Sequence, residues 1–167
     1  TPVATVDLVA HSMGGLIARS YLSGKRAGNV FDPPMNHRVR KLITIGTPHF
    51  GTFASPGLTS QQAAMLPTSA FIFNLATWNQ DNDDLRGVDP LAILGWSEGD
   101  GDGLVSLLSA SILSFHSDGE RNRVLPYCHS ASVCPPSRTP IAYIGTSNHD
   151  TWRLIRSFLA DTRDWQG

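Results

Sequence analysis

Charge is scarce in this 167-residue chain: Asp, Glu, Lys and Arg make up 16%, and 13 basic against 14 acidic residues leave a net charge of -1. So even a balance gives no electrostatic footprint for a nucleic-acid partner, and none is expected. No apolar run approaches the roughly 18 residues of a membrane helix, so no membrane span is expected either. Fifteen Gly and eleven Pro show no period, which excludes collagen-like and repeat architectures. Cysteine is limited to Cys128 and Cys134, with only His129 nearby. That is too few ligands for a zinc site, and no metal or other cofactor is expected. The two cysteines read either as free thiols or as a small-loop disulfide. Paired cysteines go with oxidising compartments, the sole pointer here to a secreted protein. No signal peptide is visible, but the chain opens TPVATVDLVA without an initiator Met. Its start therefore reads as cut, and a preceding segment of the same protein is expected.

What is present is a globular composition, 41% hydrophobic, at a length that suits one domain with a substantial core. Thr5–Ala10 reads as a short apolar strand that runs through HSMGG into a helix over Leu16–Ser23, with Gly24 and Gly28 as terminators. Lys41–Gly46 and Leu91–Trp96 read as two more strands, and Ile141–Gly145 (IAYIG) as a fourth. An amphipathic helix follows over Thr151–Ala160, with Trp152, Ile155 and Leu159 on one stripe. Phe71, Leu75 and Trp78 share a face of a short helix, and residues 104–135 look irregular apart from a helical turn near Val105–Ala110. Strands separated by helices or long excursions imply an α/β fold with a mostly parallel sheet and flanking helices. Chemistry in such sheets gathers where strands end, which directs attention to the loops HSMGG, TPHFGT, SEGDGDG and TSNHD.

Ala10-His11-Ser12-Met13-Gly14 lies between a strand and a helix, the setting of a nucleophile elbow. A bend this sharp holds Ser12 in a strained backbone conformation and pushes its Oγ outward. Small residues two before and two after relieve the crowding, and Gly15 lets the helix approach the sheet. The helix N-terminus adds partial positive charge beneath the site.

VDLVAHSMGGLIARSYL resembles the elbow of the α/β-hydrolase superfamily, in particular its bacterial lipase and esterase branch. ITIGTPHFGT, QQAAMLPTSAFIFNL, GDGDGLVS and TSNHDTWRLI resemble that branch's post-elbow, substrate-covering, acidic and histidine loops. Ala10 departs from the Gly of most members. The resemblance implies that residues 1–167 form the C-terminal part of one α/β-hydrolase domain, with 51–90 as a lid-like cover. It also implies that a loop carrying a second oxyanion donor precedes this chain. The opening strand, normally central, would then have an uncovered edge.

A serine hydroxyl needs an adjacent imidazole to take its proton, and the imidazole a carboxylate to orient it. Ser12 is the expected nucleophile, and the Met13 N–H the expected oxyanion donor. Of six histidines, His149 fits the superfamily's place for the base, after the last strand and before the last helix. Asp102, in the run DGLVS, is the expected acid ahead of Glu98 and Asp100. Alternating carboxylates and glycines also suit Ca²⁺, although SEGDGDG lacks the length and terminal Glu of a calcium loop. His11, His49 and Phe71 are candidates to border the substrate, His49 equally a structural group and Phe71 equally a core residue. His37, His116 and His129 read as solvated, and Asp7 as structural. The implied function is cleavage of a small-molecule or lipid ester through an acyl-enzyme. Acyl transfer, thioester or amide hydrolysis on the same triad, or an inert fragment, remain as alternatives.

Overall fold

The computed structural model describes residues 4–53, 59–79, 85–97, 99–112 and 119–166. Four strands, β1 (Val6–His11), β2 (Val39–Ile45), β3 (Asp89–Gly95) and β4 (Asn122–Leu125), form a sheet in the order β1-β2-β3-β4. All three pairings are parallel, with Val9 opposite Ile43, Ile43 opposite Leu91, and Ile93 opposite Arg123. The sheet is therefore wound in chain order, and every strand delivers its carboxyl end to the same rim.

Parallel strands are buried on both faces, and the apolar residues of β2 and β3 divide between the two. Ile43, Ile45, Leu91 and Ile93 point to one face and pack with Ile155 and Phe158 of α5 (Asp150–Leu159) and with Trp165. Leu42 and Val39 pack on the other face against Ala18 and Leu22 of α1 (Met13–Ser23). Ala92 and Leu94 meet Ala110 of α4 (Leu107–Ala110) and Ile112. Full burial of a side chain such as Phe158 contributes about 1.5–3 kcal/mol. Gly24 ends α1 in the left-handed region at φ 63°, and its N–H caps the carbonyl of Tyr21. Within 51–90, α2 (Ser60–Ala64) opens with a capping box from Thr59 and Gln62. α3 (Ala70–Thr77) buries Ile72 and Leu75 against Leu16. Trp78 leaves the expected stripe to stack on Phe31.

The fourth strand is a correction. IAYIG is not a strand: Ile141 is buried, but Tyr143 and Ile144 are 46% and 51% exposed, so no face alternates. Its only sheet-like link is an isolated bridge between Cys128 and Pro140, a residue with no N–H to donate. The strand beside β3 is instead the four residues of β4, which Pro126 stops. Among the described residues β1 pairs with β2 alone, and Val6 and Val9 on it stay about half exposed. No helix among the described residues is long and apolar enough to cross a membrane.

Candidate active site

Three strand ends converge. Ser12 follows β1 directly at φ 54° and ψ -128°, a left-handed conformation that a non-glycine residue holds only under strain, about 1–3 kcal/mol. Its N–H is fixed by the carbonyl of Ile45 at 2.9 Å. A Cβ on Gly14 would stand 3.6 Å from that of Ala10, while one on Gly15 would run into Thr47, so the helix enters close against the next strand's loop. Met13 is the first residue of α1, and its N–H has no intrahelical partner.

After β3, Asp102 is fully buried. Its Oδ1 accepts the N–H groups of Leu104 (3.0 Å) and Val105 (2.7 Å), leaving Oδ2 to face a histidine. That histidine is His129, just after β4: its Nδ1 lies 2.7 Å from Asp102 Oδ2, and its Nε2 lies 2.9 Å from Ser12 Oγ. The carboxylate can only accept, which assigns the ring proton to Nδ1. Nε2 is then the acceptor for the Ser12 hydroxyl. The His129 N–H donates to the Asp102 carbonyl at 2.8 Å, so backbone and side chain hold the pair together. Gly46 and Gly95 make room for it. A Cβ on Gly46 would come within 2.9 Å of Asp102 Oδ2, and one on Gly95 within 2.6 Å of Asp102 Cβ.

Residues 1–99 match the family described as PGAP1-like alpha/beta domain. The chain belongs to that family. The fold is that of the α/β-hydrolase superfamily, as the crystal structure of the mature form of Bacillus licheniformis lipase BlEst2 also indicates. It matches with a TM-score of 0.53 at 16% identity, over 72% of this chain and 58% of that one. The crystal structure of the gene lin2722 products from Listeria innocua matches with a TM-score of 0.49 at 20% identity, over 79% of this chain and 53% of that one. The chain spans a little over half the length of these solved structures. No curated protein matches its sequence.

In this PGAP1-like domain Ser12 and Asp102 come together, but His149 does not join them. That expectation is corrected. His149 sits at the start of α5 with its ring against Tyr127 (4.5 Å) and Tyr143 (5.4 Å). Both its ring nitrogens are buried with no hydrogen-bond partner among the described residues, and desolvation lowers its pKa. Tyr127 donates to Asp150 at 2.8 Å, and burial, then this bond, pushes its phenol up to about 12. His129, read as solvated, is 3% exposed.

His49 is also corrected as a substrate contact, because it is fully buried and offers no surface. Arg19 of α1 donates to its Nδ1 at 3.4 Å, and its Nε2 lies 3.3 Å from Thr44 Oγ1. Desolvation, then the Arg19 charge, holds its pKa well below the usual value. Arg19, which the sequence reading passed over, is buried too and donates to the Leu75 carbonyl at 3.0 Å, tying α3 to the elbow helix. Phe71 lines a groove of about 650 Å³ outside α1 with Ile17, Tyr21 and Met35. His11 stands beside His129: its Nε2–H donates to the His129 carbonyl at 3.2 Å, and the two rings lie 4.8 Å apart. Burial, then His129, lowers its pKa.

Asp100 is exposed, whereas Glu98 and His116 lie outside the described residues. His37 bonds the Arg86 carbonyl, and Asp7 pairs with Arg40 at 2.6 Å. Among the described residues no cluster of His, Cys, Asp and Glu could hold a metal ion.

Proposed function

We propose that this domain is a serine hydrolase of carboxylic esters, with Ser12 as nucleophile, His129 as general base and acid, and Asp102 as the group that orients His129. The observation that carries this reading is the continuous relay from Ser12 Oγ through His129 to Asp102, 2.9 and 2.7 Å, at a strained strand-to-helix bend. In the first half-reaction Ser12 Oγ attacks the ester carbonyl carbon while its proton passes to His129 Nε2. The imidazolium is held by Asp102, whose second oxygen is engaged by two backbone N–H groups. The oxyanion develops beside the first turn of α1, where the Met13 N–H is a donor and the helix dipole favours negative charge. His129 then returns the proton to the leaving alkoxide. In the second half-reaction it takes one from water, which opens the acyl-enzyme.

An ester is favoured as substrate class because BlEst2, which shares the fold, is a lipase. The lid-like role of 51–90 belongs to the same reading. α3 packs on the elbow helix through Leu75 and Leu16 and presents Phe73 outward.

The test is fluorophosphonate labelling and p-nitrophenyl ester hydrolysis in His129→Ala and His149→Ala. Removal of a triad base lowers kcat by up to about 10⁶-fold. His129→Ala is expected to lose labelling of Ser12 and turnover, and His149→Ala to keep both. The opposite pattern would overturn the assignment of the base, and no labelling of folded wild type would overturn the hydrolase reading.

A further inference from the structure

The loop that carries His129 belongs to no helix or strand. Pro126 ends β4, and Cys128 then ties into the returning chain by main-chain bonds, its N–H to Thr139 O (3.2 Å) and its carbonyl to Ile141 N–H (2.7 Å). Beyond His129 the chain turns back over Ser130–Val133, closed by Val133 N–H to Ser130 O at 3.1 Å. The turn ends at Cys134, which is joined to Cys128 by a disulfide with the Cα atoms 5.5 Å apart and a sequence separation of 6. The base is thus the first residue inside a small covalent ring. Two hydrogen bonds, to the Asp102 carbonyl and from His11, are the other ties on its backbone.

We propose that the Cys128–Cys134 disulfide positions His129 and makes turnover sensitive to thiols, active when oxidised and suppressed when reduced. The proposal rests on the Ser12–His129–Asp102 reading. Cys128 is fully buried and Cys134 partly exposed, so a reductant reaches the ring from the Cys134 side. One thiolate of a dithiol attacks Cys134 Sγ. The S–S bond breaks, its electron pair goes to Cys128 Sγ, and Cys128 takes up a proton. The second reductant thiol, as thiolate, attacks the reductant sulfur of the mixed disulfide, and Cys134 leaves as a thiol. The protein has then gained two electrons and two protons, and the reductant has become a cyclic disulfide.

Reduction frees residues 130–134 while the Cys128 backbone bonds stay. The sheet keeps its shape, and what loosens is the loop around the imidazole. A misplacement of about 1 Å at a reacting group costs on the order of 10²-fold.

The experiment measures kcat and KM for p-nitrophenyl ester hydrolysis by native protein, by protein treated with dithiothreitol, after reoxidation, and by Cys134→Ser. Thiol titration verifies the redox state, and a thermal melt verifies the fold. The expected result is a fall in kcat of about 10- to 100-fold on reduction with KM nearly unchanged, recovered on reoxidation. Cys134→Ser should be slow and indifferent to the dithiol. Fully reduced, folded wild type with unchanged kcat overturns the proposal, and this measurement stands even where the variant does not fold. His129→Ala separates the two layers. An inactive His129→Ala beside a fully active reduced enzyme rejects the positioning role alone, whereas an active His129→Ala rejects the reading beneath it.

Discussion

Gly46→Ala places one methyl group against the two atoms that make the relay. Gly46 closes β2 at φ 54°, where an L-residue costs about 1–2 kcal/mol. The added Cβ would lie 2.9 Å from Asp102 Oδ2 and 3.1 Å from His129 Nδ1, and ordinary contact begins at 3.4 Å. Both atoms must therefore retreat by a few tenths of an ångström, in a place where Asp102 is pinned by four hydrogen bonds to backbone groups. A displacement of this size at a reacting group is expected to lower kcat by about 10- to 100-fold. The backbone penalty should lower the melting temperature by about 2–8 °C for a domain of this size.

Gly28→Ala separates the two effects. Gly28 has a similar φ of 66°, but a Cβ there meets nothing within 4 Å. It should share the thermal loss and keep wild-type kcat. The assay is initial-rate hydrolysis of a p-nitrophenyl ester beside a thermal melt of each variant. A folded Gly46→Ala protein with unchanged kcat would refute the crowding, and so would an equal kcat loss in Gly28→Ala.

Two further outcomes concern histidines. The folded-state pKa of His49 is held well below 6.5, so between that depressed value and 6.5 the unfolded chain binds a proton that the folded one refuses. Its contribution is complete above pH 6.5 and is lost as pH falls, by up to about 1.4 kcal/mol per pH unit. Melting temperatures should drop between pH 7 and 5, and a flat profile would count against the buried neutral imidazole. His11→Phe keeps a ring beside His129 but removes the donor to its carbonyl. One hydrogen bond is worth about 0.5–1.5 kcal/mol, so kcat should fall about 2- to 13-fold, with recovery in His11→Gln. Equal rates in all three proteins would remove His11 from the positioning of the base.

The elbow was legible because its chemistry is local. A strand, a bend that tolerates only small neighbours and a helix all fall between Val6 and Ser23. Asp102 was legible for a related reason: the DGLV run lets one carboxylate oxygen take two consecutive N–H groups. His129 was read as solvated because two apolar segments competed for the strand beside β3. IAYIG carries more hydrophobic bulk, yet only Ile141 of it finds a core position. NRVL is shorter and partly polar, but backbone pairing with Ala92–Gly95 decides where the chain crosses the rim. A signal was present all the same: a β-branched residue, a Pro stop, then a histidine between two cysteines. The Arg19–His49 contact had no such signal, since it joins residues 30 apart through tertiary packing.

Winding the strands in chain order has a consequence for biosynthesis. The Ser12 hydroxyl emerges first and the His129 imidazole 117 residues later, in the loop that follows β4. At about 5–20 residues per second, a ribosome makes the elbow about 6–23 s before His129 exists. On the proposed reading, a nascent polypeptide therefore stays dormant as a nucleophile until His129 has emerged and met Ser12.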